Sequence, residues 1–108
     1  MKAERPTIAS AAATLLAAFG APATLLAAGA EPADGRVLAA GAAPLEKLLI
    51  YCPDAIGEFC LRENPLLLAE VRAAAPLEAR LRSVLPPKTP VCFASMFSGL
   101  PPEGHGIR

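Results

Sequence analysis

Lys47-Leu48-Leu49-Ile50-Tyr51-Cys52-Pro53-Asp54-Ala55-Ile56-Gly57 is the stretch on which the fold turns. Residues 47–52 form a nearly continuous apolar run, with Pro44 before it and Pro53 after it. A run of that length with those boundaries predicts a strand buried on both faces, as in a parallel sheet. Such a strand would deliver an acidic residue, Asp54, just past its C-terminal end.

Downstream, Asp54 to Arg62 predicts a short turn or helix. Asn64-Pro65 reads as an N-cap and a first helical position. Leu66, Leu67, Val71 and Ala74 would form that helix's apolar face, with Glu70 and Arg72 in water and Pro76 as its stop. Leu81-Arg82-Ser83-Val84-Leu85 predicts a second strand, closed by Pro86-Pro87. Strand, helical crossover and strand make a βαβ unit, which needs ~30 residues. Its connection should be right-handed and its strands parallel. Next, Thr89 reads as an N-cap and Pro90 as the first helical residue. Phe93, Met96 and Phe97 supply a buried face, Gly99 a left-handed stop, and Pro101-Pro102 bars continuation. Gly104-His105-Gly106 reads as a turn. The expected fold class is therefore α/β: a βαβα unit with parallel strands, preceded by short Ala-rich helices.

Upstream, Pro6 to Ala30 carries no charged residue. Thr7 can cap a helix running to about Phe19, with Ile8, Ala12, Leu15 and Phe19 on one stripe and Gly20 as its stop. Pro22 can open a second short helix through Ala28, ended by Gly29. The same run admits two other readings. Ala28-Gly29-Ala30 resembles the cleavage site of a secretory signal peptide, and the uncharged length suffices for a membrane anchor. Gly20, Pro22 and Gly29 cut the run into short pieces, and alanine drives insertion weakly, which favours the short helices. Glu31 to Ala43 reads as a loop with a short extended piece at Val37–Ala39. The chain thus divides into an Ala-rich lead-in and loop, 1–43, and a better-defined part, 44–108.

Ten Lys and Arg balance ten Asp and Glu, so neither a nucleic-acid-binding patch nor an acidic arm is expected. Cys52, Cys60 and Cys92 are odd in number and lack CxxC spacing, which argues against a disulfide framework and a zinc knuckle. They read as buried thiols in a reducing compartment.

Asp54 and Thr89 carry the chemistry of this reading. Both would lie beyond the C-terminal ends of parallel strands, the edge where ligands bind in open α/β sheets. Thr89 would also sit at a helix N-terminus, where unpaired N–H groups and the helix dipole favour anions. A divalent metal held by Asp54 would stabilise the Thr89 alkoxide and the charge on a transferring phosphoryl group. The bland alternative reads Pro-Asp as a turn and Thr-Pro as a helix cap.

Thr89-Pro90-Val91-Cys92-Phe93-Ala94-Ser95-Met96-Phe97-Ser98-Gly99 followed by Pro102-Glu103-Gly104-His105-Gly106-Ile107 resembles the nucleophile segment of the alkaline phosphatase superfamily. Within it, the segment is most similar to the type I phosphodiesterase and nucleotide pyrophosphatase branch. That branch carries a nucleophilic Thr, a short helix, a Thr/Ser-Gly pair and a Pro-x-x-His-Gly-Ile ending. Lys47 to Gly57 looks like the family's first strand, with its metal-binding Asp at Asp54. The resemblance covers Leu45 to Arg108, and more weakly Pro6 to Ala23, which looks like the helical lead-in of some bacterial members. It implies a partial alkaline-phosphatase-like fold and two divalent metal ions, zinc by family habit. It implies Asp54 as a metal ligand and Thr89 as both metal ligand and phosphorylated nucleophile. His105 matches a position that shapes the turn. Cys92 stands where many members have an Asn that donates to the phosphoryl oxygen, and a thiol is a far weaker donor. The family's further metal-binding Asp and His residues lie downstream of this motif, so the chain is expected to be a partial product, inactive by itself.

The expected function is a metal-dependent phosphoryl-transfer hydrolase acting on a small phosphoester, with no nucleic-acid partner and no membrane. The resemblance favours a cytoplasmic location, with export through a signal peptide as the alternative. The competing function is a non-catalytic small α/β domain that binds a partner or assembles with itself through open sheet edges.

Overall fold

A computed structural model describes residues 5–40, 44–75 and 77–108. Six α-helices run along it: α1 (Ser10–Ala18), α2 (Gly35–Ala40), α3 (Glu58–Glu63), α4 (Ala69–Ala74), α5 (Thr89–Ser98) and α6 (Pro102–His105). A 3₁₀ turn at Ala23–Leu25 follows α1.

The expected α/β fold is overturned. Among the described residues no segment is a strand, and the one β-contact is an isolated parallel bridge between Thr7 and Arg82. There the Arg82 N–H donates to Pro6 O at 2.9 Å and the Ile8 N–H to Arg82 O at 2.8 Å. Neither expected strand forms: 47–52 has no regular structure, and 81–85 contributes only Arg82 to the bridge. The physical reason is that a strand is defined by its neighbour. An apolar run states a preference, but without a second described segment alongside it no ladder closes.

α1 and α5 pack together at the centre, with α2 and the 3₁₀ turn against α1 and α6 against α5. Their interface is built from small side chains. Ala9, Ala12, Ala13, Val84 and Val91 are the buried apolar residues, joined by Ser10, Thr14, Asp34 and Ser95. Of the expected Ile8, Ala12, Leu15 and Phe19 stripe, only Ala12 is buried. Small residues win this position because they let two helix backbones approach closely. The buried hydroxyls are satisfied locally: Ser10 Oγ donates to Thr7 O at 2.8 Å, and Thr14 Oγ1 to Ser10 O at 2.7 Å.

Thr7 tops the turn that leads into α1, its Oγ1 accepting from the Ala9 N–H at 3.1 Å, and Gly20 (φ +75°) follows the helix end. The second expected helix shrinks to the 3₁₀ turn. The expected loop at 31–43 instead contains α2, so Val37–Ala39 is helical; Gly41 to Ala43 lie outside the described residues. The expected helix from Pro65 begins only at Ala69, after a turn that places Leu68 at φ +57°. Of its intended apolar face, Leu66, Val71 and Ala74 are exposed and Leu67 is half-buried. Pro76, its expected stop, is also outside the described residues.

α5 is where expectation and structure meet most closely. It starts at Thr89 with Lys88 as N-cap, one residue earlier than the sequence suggests, and Pro90 occupies the first turn. Val91 and Ser95, one turn apart, are its fully buried residues. Phe93 and Met96 are half-buried, while Phe97 is exposed and stacks on Phe93 at 6.0 Å. Gly99 stops the helix at φ +78° and has a second reason to be glycine. A Cβ there would lie 3.2 Å from Ala30 Cβ and 3.4 Å from Ala12 Cβ. Of the expected turn at 104–106, Gly104 and His105 belong to α6, a single helical turn, and Gly106 follows it at φ +73°.

Candidate functional site

Asp54 leaves the 47–53 segment in a turn. Its Oδ1 accepts from the Ala55 N–H at 2.9 Å, and Ala55 takes the left-handed conformation at φ +57°. That conformation disfavours a residue with a Cβ by roughly 1–2 kcal/mol. Thr89 is presented by the first turn of α5. Its Oγ1 donates to Asp54 Oδ1 at 3.2 Å, across 35 residues of sequence.

The Thr89 hydroxyl therefore does not cap its own helix: no side-chain cap bond is present at α5. The first helical bond runs from the Cys92 N–H to Lys88 O at 2.8 Å. The N–H groups of Thr89 and Val91 have no hydrogen-bond partner among the described residues, as expected for a first helical turn.

Asp54 and Thr89 line a cavity of about 460 Å³. Ile56, Pro87, Phe93 and Met96 form its apolar wall, and Ser83 and Cys92 add polar atoms. Ser83 Oγ and Cys92 Sγ lie 3.6 Å apart. Both Asp54 and Thr89 are exposed, so a ligand meets them from solvent. The three cysteines are free and half-buried rather than buried.

His105 is occupied elsewhere. Its Nδ1 accepts from the Ile107 N–H at 3.0 Å, which places the ring proton on Nε2, 3.0 Å from the buried Ser95 Oγ. The ring ties α6 to α5 and has no nitrogen left for a metal.

Sequence reasoning missed Asp34. It is buried, its N–H donates to Thr14 Oγ1 at 2.8 Å, and its Oδ1 accepts from the Arg36 N–H at 3.0 Å as an N-cap of α2. Arg36 Nε and Nη2 approach its two oxygens at 3.0 and 2.6 Å. The side-chain hydrogen bond from Arg36 holds the Asp34 carboxyl below the usual carboxylate range, against the opposing effect of burial. The same contact raises Arg36. The usable signal was Asp34-Gly35-Arg36 itself, a capping residue with a cation two positions on. With both oxygens taken, Asp34 is a structural carboxylate.

No cluster of three or more His, Cys, Asp or Glu residues able to hold a metal occurs among the described residues. Asp54 and Thr89 still fit one edge of a cation site. Two oxygens bound to one tetrahedral zinc at ~2.0–2.2 Å are separated by roughly 3.3–3.6 Å. The observed 3.2 Å lies within a few tenths of that. A four-coordinate ion needs further donors from elsewhere.

No protein-family model, curated protein or solved structure matches the chain. No helix among the described residues is long and apolar enough to cross a membrane.

Proposed function

We propose that Thr89 and Asp54 form part of a cation-assisted phosphoryl-transfer site, with Thr89 as nucleophile and Asp54 as a metal ligand. The single observation that carries this reading is the 3.2 Å contact between Thr89 Oγ1 and Asp54 Oδ1. Segments far apart in sequence bring together the two residues that the motif resemblance pairs, and the Thr89 hydroxyl is free of any capping duty.

The chain's own groups divide the work. Asp54 Oδ1 takes the hydrogen bond from Thr89 and so orients Oγ1 at the cavity mouth. The Thr89 and Val91 N–H groups, with the α5 dipole behind them, suit the oxygens of a phosphoryl group. Cys92 contributes little as a donor, so backbone groups carry that contact. A divalent ion, zinc by the resemblance, would supply charge neutralisation and lower the pKa of the Thr89 hydroxyl. Asp54 and Thr89 Oγ1 are the residues that would hold it. Two donors do not complete a two-metal site, so this 108-residue chain should bind a cation weakly and not turn over. The substrate class is a small phosphoester.

Cobalt or zinc titration followed by calorimetry tests the assignment. Asp54→Asn should weaken binding about tenfold or more, the scale on which charged ligands contribute. Unchanged affinity in both Asp54→Asn and Thr89→Ala rejects it and leaves the contact as a tie between a turn and a helix. Sustained hydrolysis of an aryl phosphodiester by the chain alone rejects the half-site reading.

A cytoplasmic location belongs to the same proposal. Residues Pro6 to Ala30, which cleavage after Ala30 would remove, include the central helix α1 and the Arg82 bridge. Thr7 is also bound to Glu31, its Oγ1 lying 3.0 and 2.9 Å from the two carboxylate oxygens. A leader packed into the core in this way is a poor candidate for removal. Mass spectrometry of the mature N-terminus checks it, and a product beginning at Glu31 would reverse it.

A further inference from the structure

A second cavity, of about 540 Å³, lies between α3, Arg72 of α4 and the segment 78–81. Ile56, Leu61 and Leu81 supply its apolar lining. Its charged lining is Glu58, Arg62, Arg72, Glu78 and Arg80. Glu58, Leu61 and Arg62 stand at i, i+3 and i+4 of α3 and so share one face of that helix. Arg72 Nε and Nη2 approach the two Glu78 oxygens at 3.2 and 3.3 Å, and Arg80 Nε lies 3.2 Å from Glu58 Oε1. Each carboxylate is therefore taken by one arginine. Arg62 is left over: among the described residues its guanidinium has no hydrogen bond and no ion pair.

We propose that this cavity binds a small oxyanion, a carboxylate or a phosphate group, with Arg62 as its principal contact. Three guanidinium groups face two carboxylates, so the cavity carries an excess of positive charge. A concave, partly apolar lining strengthens that field, because less water is present to screen it. The planar guanidinium presents paired N–H donors at the spacing of two oxygens on a carboxylate or phosphate. The existing ion pairs compete weakly. All four of their side chains are exposed, and pairs of that kind are worth little, so Arg72 and Arg80 can turn an N–H to a bound anion at small cost. Glu58 and Glu78 repel the same anion, which confines it to the Arg62 side and limits its affinity. The occupant would link α3 to α4 or to the segment 78–81, a tie that no helix packing among the described residues provides. The cavity beside Thr89 shares Ile56 and Gly57 with this one, but no described Arg or Lys lines it. The anion site therefore stands whether or not Thr89 reacts.

Heteronuclear NMR of the full chain, following the arginine Nε–H signals, tests this. Inorganic phosphate and acetate are the probes, each titrated at constant ionic strength set with sodium chloride. The Arg62 signal should shift and saturate. Arg62→Gln should weaken binding about tenfold, the scale of one charge-assisted hydrogen bond. Arg108→Gln removes the same charge outside the cavity and should leave binding unchanged. Glu78→Gln should tighten it severalfold, since it removes a repelling charge and frees Arg72. All three positions are exposed, so the variants should fold, which circular dichroism verifies. Saturation by phosphate alone assigns a phosphate group, by acetate alone a carboxylate, and by both a general oxyanion site; each supports the proposal. A shift that saturates with neither probe, or equal weakening in Arg62→Gln and Arg108→Gln, overturns it.

Discussion

Residues 5–40 with 77–108, and residues 44–75, are two regions of one chain that use apolar sequence in opposite ways. The first holds every buried residue described, and its buried groups are mostly Ala, Ser, Thr and Val. The second contains Leu48, Leu49, Ile50, Tyr51, Phe59 and Leu66, yet none of its residues is buried. Among the described residues its helices α3 and α4 pack against no other helix, and their neighbourhood is held by exposed ion pairs, Arg80–Glu58 and Arg72–Glu78, both at 3.2 Å. Such exposed pairs contribute little. The contrast teaches that burial follows from having a matching surface, not from hydrophobicity. Small side chains in α1 and α5 find that surface in each other, while the larger ones in 44–75 are covered only in part within the described chain. Thr89 and Asp54 sit on the seam between the two regions, which is why their single hydrogen bond matters.

The contrast can be broken at its tightest point. Gly99→Val introduces a branched side chain at φ +78°, against Ala12, Ala30 and Leu26. We expect a loss of about 3 kcal/mol, from left-handed strain and overpacking together. Urea denaturation measures it, and a loss below about 1 kcal/mol would mean that the helix contact is loose.

Asp34→Asn tests the polar side of the same core and should cost about 1 kcal/mol at neutral pH, a charged hydrogen bond discounted because Arg36 is half-exposed. The pH dependence has a definite sign. The carboxyl titrates lower in the folded chain than in the unfolded one. The unfolded state therefore binds more protons as the pH falls. The stability that Asp34 contributes is complete above the ordinary carboxylate value of ~3.9. It is lost as the pH drops through the lowered folded value. The wild type and Asp34→Asn should thus converge in strong acid, as thermal melts across the acid range would show.

At the other extreme, Leu66→Ala removes a large side chain that is almost wholly in water. Its effect should stay within about 0.5 kcal/mol, the range of ordinary surface substitutions. A larger loss would show that residues 44–75 are covered in solution, by a second copy or by another chain.

Legibility followed the same division. α5 could be read because its signals are local: Pro90 in the first turn and Gly99 at the stop decide where a helix begins and ends. The pairing of Thr89 with Asp54 was legible through motif resemblance, and the structure brings the two side chains into contact. The strands could not be read, because an apolar run such as 47–52 becomes a strand only when another segment supplies the other half of its hydrogen bonds. The Asp34–Arg36 pair was hidden by the Gly- and Ala-rich surroundings that made 31–43 look like a loop.

By itself the sequence determined the backbone punctuation: glycines at positive φ after α1, α5 and α6, prolines in the first turns of α5 and α6, and the residue types available at the candidate site. These rest on φ preferences and missing donors that a residue carries wherever it sits. The tertiary structure alone decided which apolar residues are buried, that Ser10, Thr14 and Asp34 belong inside, and that the Thr89 hydroxyl turns to Asp54 instead of capping its helix. Those outcomes depend on which surfaces meet, a property of pairs of segments that no single stretch of sequence contains.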